Sequence, residues 1–340
     1  MRVGILMDLR NAEPPRPWSD HYAAVLDFVA EADRLGIDVV GIAEHHRWRD
    51  GYCPRPLTVL AALAARTERI RLATAVLIAP LYDTVSLAEE AALVDCLSGG
   101  RLELGLGAGY LNSDFELFGA VAARRYRLWE ERVDGARRLW ADGAISPGPV
   151  QEEIPLWAGM RGRRGSYLAG LRGMPQLFFN PEHHWDRYLE GLRDGGHPPT
   201  AARYGGPVFA MLAEDPEREF ATFAERIERH YRGYELAAAA DSGQAPPSPR
   251  DAADYRRVGA FPSSFAAAAG RAKMGGSERA YGFSIWTPEE AAAAIGAVAA
   301  ERSGADVVYL CGAIAGVFDD AAYQNLELIA RRLKPLLAEL

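Results

Sequence analysis

The feature that most constrains the fold is a regular alternation of short apolar runs with longer segments of helical period. The runs are rich in β-branched residues, and the segments between them are rich in Ala, Leu, Glu and Arg. This alternation is typical of a parallel sheet covered by helices. We predict eight strands, at residues 2–8, 37–43, 70–78, 101–107, 154–158, 175–180, 206–213 and 306–312.

Helices are predicted between these strands, at residues 20–35, 56–67, 84–98, 124–141, 166–172, 182–194, 216–240 and 320–339. Eight such strand and helix pairs predict an α/β protein built as one closed (β/α)8 barrel of the TIM type, with 1–340 as a single domain. The run 281–286 is either a ninth strand or an extended approach to a helix that begins at Thr287-Pro288-Glu289-Glu290.

One stretch, residues 241–280, interrupts this rhythm before the last strand. Its start is rich in proline at 246–249, and Gly275-Gly276 stands near its end. A connection of this length is either a disordered linker or a functional lid. Disordered segments are poor in aromatic residues, so Phe261 and Phe265 favour a lid over the barrel mouth.

Composition argues against several classes of partner. With 38 Lys and Arg against 46 Asp and Glu, the net charge of -8 gives no reason to expect nucleic acid or an anionic membrane. No apolar run approaches the roughly 20 residues of a membrane helix. Residues 1–8 are too short and too soon acidic for a secretory signal, so we expect a cytoplasmic protein. Cys53, Cys96 and Cys311 are widely spaced, which predicts unpaired thiols and no thiolate metal site.

Titratable residues gather where the second predicted strand ends, at Glu44-His45-His46. The carboxyl ends of the strands form the active-site face of a (β/α) barrel, so these three are candidate catalytic residues. Because neighbouring side chains of a strand alternate, Glu44 and His46 should share one side and His45 the other. A solvated polar loop with one capping histidine fits the same local sequence.

Two glycine-rich stretches are candidates for binding. In 105–109 the third glycine is misplaced for a dinucleotide fingerprint and no helix follows directly. These glycines either let a flat ring lie against the fourth strand or relieve crowding inside the barrel. In 159–166 three arginines and a serine open a helix, a pattern that favours a phosphate site; an exposed basic turn is the alternative.

The sequence motifs give little support for a metal site or for a hydrolase. The pairs His45-His46 and His183-His184 occur without a His-Glu-x-x-His motif, and adjacent histidines rarely bind one ion. We therefore predict no metal and keep 183–184 as a weak substrate-site candidate. A Gly-x-Ser-x-Gly motif is also lacking, which argues against the usual α/β-hydrolase chemistry.

A long ordered series of motifs resembles the luciferase-like monooxygenase family. It comprises 44–46, 56–72, 88–102, 105–110, 114–119 and Leu139-Trp140, with weaker similarity at 215–218, 287–290 and 304–308. The resemblance implies a flavin-dependent monooxygenase in which reduced FMN, supplied by a separate NAD(P)H-dependent flavin reductase, forms a C4a-peroxide with oxygen and oxygenates a small organic substrate. It implies that His45 is the catalytic acid or base and that Glu44 and His46 orient it or contact the ring.

The resemblance also implies a cofactor site and a cis peptide between Ala75 and Val76 under the flavin ring. The implied cofactor-binding residues are Met7, Ala75, Val76, Gly107, Ala108, Tyr110, Gly159, Arg161, Gly162, Arg163, Arg164 and Ser166. Bacterial luciferase has a cysteine and an arginine where this chain has Gly107 and Ala108. The arginine that binds the phosphate must therefore come from elsewhere, and the 159–166 loop offers it.

Other expectations stay open at this point. A deazaflavin-dependent hydride transferase of the same superfamily is the closest alternative, followed by a metal-dependent hydrolase and a catalytically silent flavin-binding subunit. Family members pair through two helices, so small residues in 56–65 and 84–97 predict a homodimer. The sequence does not identify the substrate. Candidate residues that line an apolar substrate pocket are Trp18, Trp48, Tyr52, Tyr110 and Trp286.

Overall fold

The computed structural model describes residues 1–11, 15–160, 162–179, 184–255, 271–274, 277–280 and 282–339. The strands are β1 Arg2–Met7, β2 Val39–Ile42, β3 Arg71–Ile78, β4 Leu102–Gly107, β5 Leu156–Ala158, β6 Gln176–Leu177, β7 Tyr204–Pro207, β8 Ala210–Leu212, β9 Arg271–Met274, β10 Ser277–Ala280, β11 Ser284–Trp286 and β12 Ala305–Ala313. The helices are α1 Trp18–Leu35, α2 Pro56–Ala64, α3 Thr84–Ser98, α4 Asn112–Leu117, α5 Arg125–Ala141, α6 Arg163–Leu171, α7 Trp185–Asp194, α8 Pro216–Ser242, α9 Ala252–Tyr255, α10 Pro288–Glu301, α11 Asp320–Leu328 and α12 Lys334–Ala338.

Eight of these strands close into a barrel in the order β1-β12-β7-β6-β5-β4-β3-β2. Every neighbouring pair is parallel, as in Gly4 opposite Val39 between β1 and β2. The strands are apolar and buried because the barrel interior faces one side of them and the surrounding helices face the other. The predicted (β/α)8 barrel is therefore confirmed.

The seventh predicted strand, 206–213, is wrong in its extent. β7 belongs to the barrel, whereas β8 leaves it and pairs in parallel with β11. Pro207 is the last residue of β7 and pairs with Tyr309 of β12, whose carbonyl accepts from the Val208 N–H at 2.8 Å. The run predicted at 281–286 as a ninth strand or an extended approach is the short strand β11 outside the barrel.

Two helix predictions near the C-terminus have different outcomes. The helix predicted after Thr287 is confirmed, and Thr287 and Glu290 form a capping box at its start. The helix predicted at 320–339 is interrupted by a π-helical turn between α11 and α12, where the Lys334 N–H donates to the carbonyl of Ile329. Pro335 lacks the N–H that a regular helix would require at the next position.

The predicted lid, residues 241–280, is described only in parts. Its first two residues continue α8, and β9 pairs with β10 in an antiparallel hairpin. Tyr255 stacks on Tyr231 with ring centroids 4.5 Å apart and donates a hydrogen bond to Glu235 at 2.9 Å. The start of the segment is thus anchored on α8. Phe261, Phe265, Gly275 and Gly276 lie outside the described residues.

The three cysteines, Cys53, Cys96 and Cys311, are unpaired, as predicted, and burial raises the pKa of the Cys53 and Cys311 thiols to about 12. No helix within the described ranges combines the length and the apolarity that crossing a bilayer requires.

Candidate active site

The candidate site lies where β2 and β3 end. Glu44 is buried, and each of its carboxylate oxygens accepts a hydrogen bond. His46 Nε2 donates to Oε1 at 2.8 Å, and the Ile78 N–H donates to Oε2 at 2.7 Å. The Glu44 N–H also donates to the carbonyl of Val76 at 3.0 Å. Glu44 therefore fixes His46 and ties this segment to the end of β3.

His45 points to the other side, as the alternation predicts. Its side chain lies among aromatic rings, with centroid distances of 4.4 Å to Tyr52, 5.0 Å to Trp48, 5.4 Å to Tyr234 and 6.4 Å to Tyr110. Only 8% of His45 is exposed, and its Nδ1 is buried without a hydrogen-bond partner among the described residues. Such a nitrogen can bind a ligand that enters this space.

Burial lowers the pKa of His45 to about 3, and the nearby positive charge of Arg10 acts in the same direction. The imidazole is consequently neutral over the physiological pH range. A neutral imidazole has one N–H donor and one acceptor nitrogen. His45 can thus donate a hydrogen bond or receive a proton, according to which nitrogen carries the hydrogen.

A buried triad of Asp8, Arg10 and His230 lies behind these rings, and burial lowers the pKa of His230. Arg10 donates to Asp8 through Nε at 2.8 Å and through Nη2 at 2.5 Å, and the Nη2 atom lies 2.5 Å from His230 Nδ1. Burial opposes ionisation of Asp8, but Arg10 outweighs it and holds the pKa of that carboxyl well below its usual range. The Arg10 guanidinium lies 5.3 Å from the ring centroid of Tyr52 and 6.0 Å from that of Tyr234.

Asp114, on α4, is a second buried group with an incomplete set of partners. It is 3% exposed, and its Oδ1 atom makes no hydrogen bond in the part of the chain that the structure describes. Burial raises the pKa of its carboxyl to about 6, and the negative charges of Glu44 and Asp241 contribute. Asp114 therefore titrates near neutral pH beside the Glu44 and His46 pair.

The predicted cis peptide between Ala75 and Val76 is confirmed. Both residues are half-buried at the end of β3, where the register to β4 shifts. A Cβ added to Gly107 would lie 2.7 Å from the Val76 side chain, and one added to Gly159 would lie 2.2 Å from it. Relief of crowding between strands therefore accounts for these two glycines without a ligand.

The other residues predicted to contact the flavin ring differ in how deeply they are buried. Met7 is fully buried in the core at the end of β1, with its sulfur 3.2 Å from where a Gly312 Cβ would stand. Ala108 is buried just after β4, and Tyr110 is half-buried near His45. Tyr110 thus lies with the candidate catalytic histidine, whereas Met7 lies in the core.

Of the predicted phosphate site, Gly159 and Gly162 lie between β5 and α6, and the residues from Arg163 onward lie in the first turn of α6. Gly162 precedes α6, and no side chain caps that helix end. Arg163 and Arg164 are exposed; Arg164 lies 4.0 Å from Glu130, over the ring of Tyr126.

Ser166, in the first turn of α6, is buried, and its N–H donates to the carbonyl of Gly162 at 2.9 Å. Arg161 lies outside the described residues. The start of α6 thus has no side-chain cap from Gly162 and two exposed arginines in its first turn.

The remaining candidates are not all brought to the site. Trp18 is half exposed on α1 and Trp286 is buried in the main core, so the aromatic cluster contains only Trp48, Tyr52 and Tyr110 of the predicted pocket residues. His183 lies outside the described residues, and His184 precedes α7. Within the described ranges, no three His, Cys, Asp or Glu side chains are arranged to hold a metal ion.

Sequence reasoning missed the groups that come from distant parts of the chain. His230 and Tyr234 both lie on α8, more than 180 positions from His45. One signal was present, because Gly233 stands in the interior of this helix, where glycine is unfavourable. A Cβ at Gly233 would lie 2.8 Å from Trp48 and 2.9 Å from Arg10, so the glycine permits this close approach.

Comparison with known proteins identifies the family. The family model described as luciferase-like monooxygenase matches residues 1–307. The chain belongs to the luciferase-like monooxygenase family. In this chain the Glu44-His45-His46 segment lies at the carboxyl ends of the barrel strands, beside the cis peptide.

Several curated relatives carry names of monooxygenases. The oxygenase component of flavin-dependent trigonelline monooxygenase from Acinetobacter baylyi is 25% identical over 208 residues, which is 56% of this chain and 58% of the relative. Limonene 1,2-monooxygenase from Rhodococcus erythropolis is 27% identical over 234 residues, or 69% and 53%. 4-Hydroxyprotoasukamycin monooxygenase from Streptomyces nodosus is 35% identical over 114 residues, or 34% and 31%. The matches thus span about half or less of each relative's length.

Solved structures support the fold. Monooxygenase RslO1 from Streptomyces bottropensis has a TM-score of 0.76 at 23% identity, covering 98% of this chain and 99% of its own. The oxygenating constituent of 3,6-diketocamphane monooxygenase from Pseudomonas putida, in complex with FMN, has a TM-score of 0.71 at 18% identity, covering 99% and 98%. An F420-dependent secondary alcohol dehydrogenase has a TM-score of 0.68 at 15% identity, covering 99% and 98%.

Proposed function

We propose that this member of the luciferase-like monooxygenase family uses reduced FMN and oxygen to oxygenate a small organic substrate. The observation that carries the proposal is His45, a neutral histidine inside a ring of aromatic side chains, whose buried Nδ1 has no partner among the described residues. The segment that holds His45 is hydrogen-bonded to the carbonyl of Val76, next to the cis peptide of β3. The names of the trigonelline and limonene monooxygenases support the reaction class.

The residues present fit a flavin mononucleotide. We propose that its ring lies against Ala75, Val76 and Tyr110, with Gly107 and Ala108 at the end of β4. Ala75, Val76 and Tyr110 are half-buried, so part of each residue is accessible to a ligand, whereas Gly107 and Ala108 are buried. Its phosphate would bind at the uncapped start of α6, where Gly162 supplies space and Arg163 supplies charge.

Reduced FMN, when bound, supplies the electrons that activate oxygen. One oxygen atom enters the substrate and the other leaves as water, so the site must deliver protons as well as exclude bulk water. We assign the proton transfer to His45. Glu44 and His46 hold the segment in place, since their 2.8 Å hydrogen bond and the bond from Ile78 leave them little freedom.

The proposed reaction is tested by aerobic turnover with FMN, NADH and a generic flavin reductase. Candidate substrates are screened by mass spectrometry for the gain of one oxygen atom, and isotope-labelled dioxygen identifies its source. Turnover that requires both the reductase and this chain would support the proposal. A product that forms equally well without oxygen would contradict it.

Deazaflavin-dependent hydride transfer is the alternative, because the fold also occurs in an F420-dependent alcohol dehydrogenase. Anaerobic titration with reduced FMN and with reduced deazaflavin separates the two cofactors. Tighter binding of the deazaflavin by an order of magnitude would favour the alternative.

We also propose that a separate NAD(P)H-dependent flavin reductase supplies the reduced flavin, since a relative is named as the oxygenase component of its system.

A homodimer through α2 and α3 is proposed as well. Leu93 and Leu97 on α3 are 47% and 60% exposed, and large apolar side chains of this kind are typical of interfaces. Light scattering that finds a monomer at micromolar concentration would contradict the dimer.

Residues 241–280 are proposed as a lid over the site. The anchoring of Tyr255 on α8 supports this, because the same helix carries Tyr234 next to His45. Deletion of 246–274 should leave a folded barrel that binds flavin, but oxygen consumption should exceed product formation because water enters the site. Full coupling in the deletion variant would exclude a lid.

A further inference from the structure

A cavity of about 340 Å³ lies beside the candidate site, and the proposed function does not use it. One wall is the segment between β3 and α3, and the other is formed by residues 118–121 and by the side of α5 that carries Leu128. Its volume falls within the range of small-molecule sites. Phe118 lines the cavity, and its ring centroid is 4.7 Å from that of His46. Phe118 therefore stands between the cavity and the candidate catalytic segment.

Much of the cavity wall is apolar. Leu81, Phe118, Val121 and Leu128 all line it. Val121 is 54% exposed, and Leu117, next to Phe118 in the chain, is 53% exposed. Exposed apolar side chains that lie together are typical of binding surfaces. A ligand that covers them gains free energy by removing apolar surface from water, so we expect the ligand to have an apolar part.

Two arginines bring positive charge to the same cavity. Arg124, Leu128 and Arg132 follow each other at intervals of four residues, so they share one side of the α5 region, and all three line the cavity. Arg124 is exposed, and its side chain makes no hydrogen bond or ion pair among the described residues. Its guanidinium can therefore bind a ligand without giving up a contact within the described part of the chain.

Arg132 is fixed in place by neutral acceptors. Its Nε donates to the carbonyl of Tyr82 at 2.5 Å, and its Nη1 donates to the Thr84 hydroxyl at 3.3 Å. Its Nη2 makes no hydrogen bond in the part of the chain that the structure describes, and the carboxylate of Glu131 is 3.9 Å from Nη1. A guanidinium that is already held in position loses little conformational entropy when it binds an anion.

The carboxylate in the lining, Asp83, is already engaged. Its Oδ1 accepts from the Ser86 N–H at 2.9 Å and its Oδ2 from the Ser86 hydroxyl at 2.5 Å, so that it caps α3. A negative charge at a helix N-terminus is offset by the helix dipole. The Arg55 guanidinium, 5.3 Å from the ring centroid of Phe118, adds positive charge behind that wall. The lining therefore favours an anion.

We propose that this cavity is a second ligand site, which binds a small organic anion made of a carboxylate attached to an aromatic or short aliphatic group. The carboxylate binds Arg124 and Arg132, and the apolar part packs against Phe118 and Val121. None of these contacts requires flavin, so the proposal is independent of the proposed function.

The test is calorimetric titration of the full, flavin-free chain with benzoate. Benzyl alcohol, which has the same ring but no charge, is the matched probe. We expect benzoate to bind saturably at one site per chain, at least about tenfold more tightly than benzyl alcohol, because its bonds to the arginines are charge-assisted. Equal affinities for the two probes, or no binding of benzoate, would overturn the proposal.

Substitutions locate the bound benzoate. Arg124→Gln should weaken benzoate binding about tenfold and leave benzyl alcohol unaffected. Its control is Arg127→Gln, which makes the same change of charge at a side chain of α5 that is 68% exposed and does not line the cavity. Thermal unfolding shows whether each variant is folded. Equal losses of benzoate affinity in these two variants would mean nonspecific attraction and would overturn the proposal.

Val121→Glu adds a negative charge to the lining and should abolish benzoate binding. The control is Val150→Glu, at an apolar side chain that is 61% exposed and outside the cavity lining. This pair keeps the test decisive if Arg124→Gln does not fold. Unchanged benzoate affinity in folded Val121→Glu would overturn the proposal.

Two other results would also overturn it. If Arg163→Ala weakens benzoate binding and Arg124→Gln does not, the anion binds at the start of α6 instead. If benzoate does not bind and Val121→Glu dissociates a dimer in light scattering, a second copy of the chain covers the cavity. Failure to bind benzoate leaves the proposed oxygenation intact, and failure to oxygenate any substrate leaves the anion site intact, so the two proposals fail separately.

Discussion

The two ends of the barrel hold their buried charges differently. At the N-terminal end Glu103, at the second position of β4, is 1% exposed. Arg2 and Arg71 donate to its carboxylate, and Trp157 Nε1 donates at 3.1 Å. Arg2 also binds Asp306 at 2.7 Å. Burial opposes ionisation of Glu103, but bonds from the arginines outweigh it and hold the pKa of the carboxyl below its usual range.

At the C-terminal end Glu44 and Asp8 are also paired, but two further buried groups are incomplete. His45 Nδ1 and Asp114 Oδ1 are buried without hydrogen-bond partners in the described residues. Each unsatisfied buried group costs about 1–3 kcal/mol. The strands are the same at both ends, so the difference lies in whether the polar groups are completed by the protein itself. A group that the fold leaves incomplete is one that a ligand can complete.

This comparison predicts that changes at the C-terminal end affect chemistry first. His45→Ala should abolish oxygenation, a loss of about 10²–10⁴-fold, because proton transfer contributes to the transition state. Flavin affinity should stay within about tenfold of the original protein. Steady-state turnover and flavin titration measure the two quantities. Surviving activity would assign the proton transfer to His46 or to the lid.

Changes at the N-terminal end should affect stability instead. Glu103→Gln should lower the free energy of unfolding by about 2–3 kcal/mol, since Arg2 and Arg71 lose a buried counter-charge but are partly exposed. Turnover of the folded variant should be unchanged. Urea denaturation measures the loss. The control is Glu153→Gln, a mostly exposed partner of Arg137, which should change stability by no more than about 0.5 kcal/mol. Loss of turnover without loss of stability would contradict the comparison.

A third change tests the exposed charge at the start of α6. Arg163→Ala should weaken FMN binding about tenfold by removing a charge-assisted contact to phosphate. Riboflavin, which lacks the phosphate, should bind as before. Arg164→Ala is the matched control, because Arg164 already lies beside Glu130 and over Tyr126. Equal losses for FMN and riboflavin would contradict a phosphate site here.

The smallest expected effect concerns the pH dependence of stability. The pKa of Asp114 is about 6 in the folded protein against an ordinary value of 3.8. The folded state thus holds its proton more tightly, and stability from this group is lost as pH rises from about 4 to about 6. Asp114→Asn should remove that loss, so its stability relative to the original protein should increase as pH rises from about 4 to about 6. Equal stability of the two proteins at all pH values would contradict the raised pKa.

The barrel was predictable because each strand and helix is indicated by the residue types and the hydrophobic period of its own segment. The eight apolar runs have the length and β-branched content of buried parallel strands, and closure follows from their number. The prediction of a single strand at 206–213 was wrong because this continuous apolar run contains two short strands that belong to different sheets. Only the neighbouring strands show that β7 pairs in the barrel and that β8 pairs with β11.

The candidate site was predictable in part. Glu44, His45 and His46 follow one strand, so their location and alternation are local properties, and the cis peptide came with the family resemblance. The triad of Asp8, Arg10 and His230 was not predictable, because it joins residues 220 positions apart. No local pattern records such a contact.

By itself the sequence determined the barrel, the family and the residues at the ends of β2 and β3, since periodicity and motif order act over a few positions at a time. The tertiary structure alone decided that α8 brings Tyr234 to His45 and His230 to Arg10. The physical reason is that burial and hydrogen bonding depend on which surfaces meet, and these determine whether a histidine is charged, which nitrogen carries its hydrogen and which atom stays unpaired.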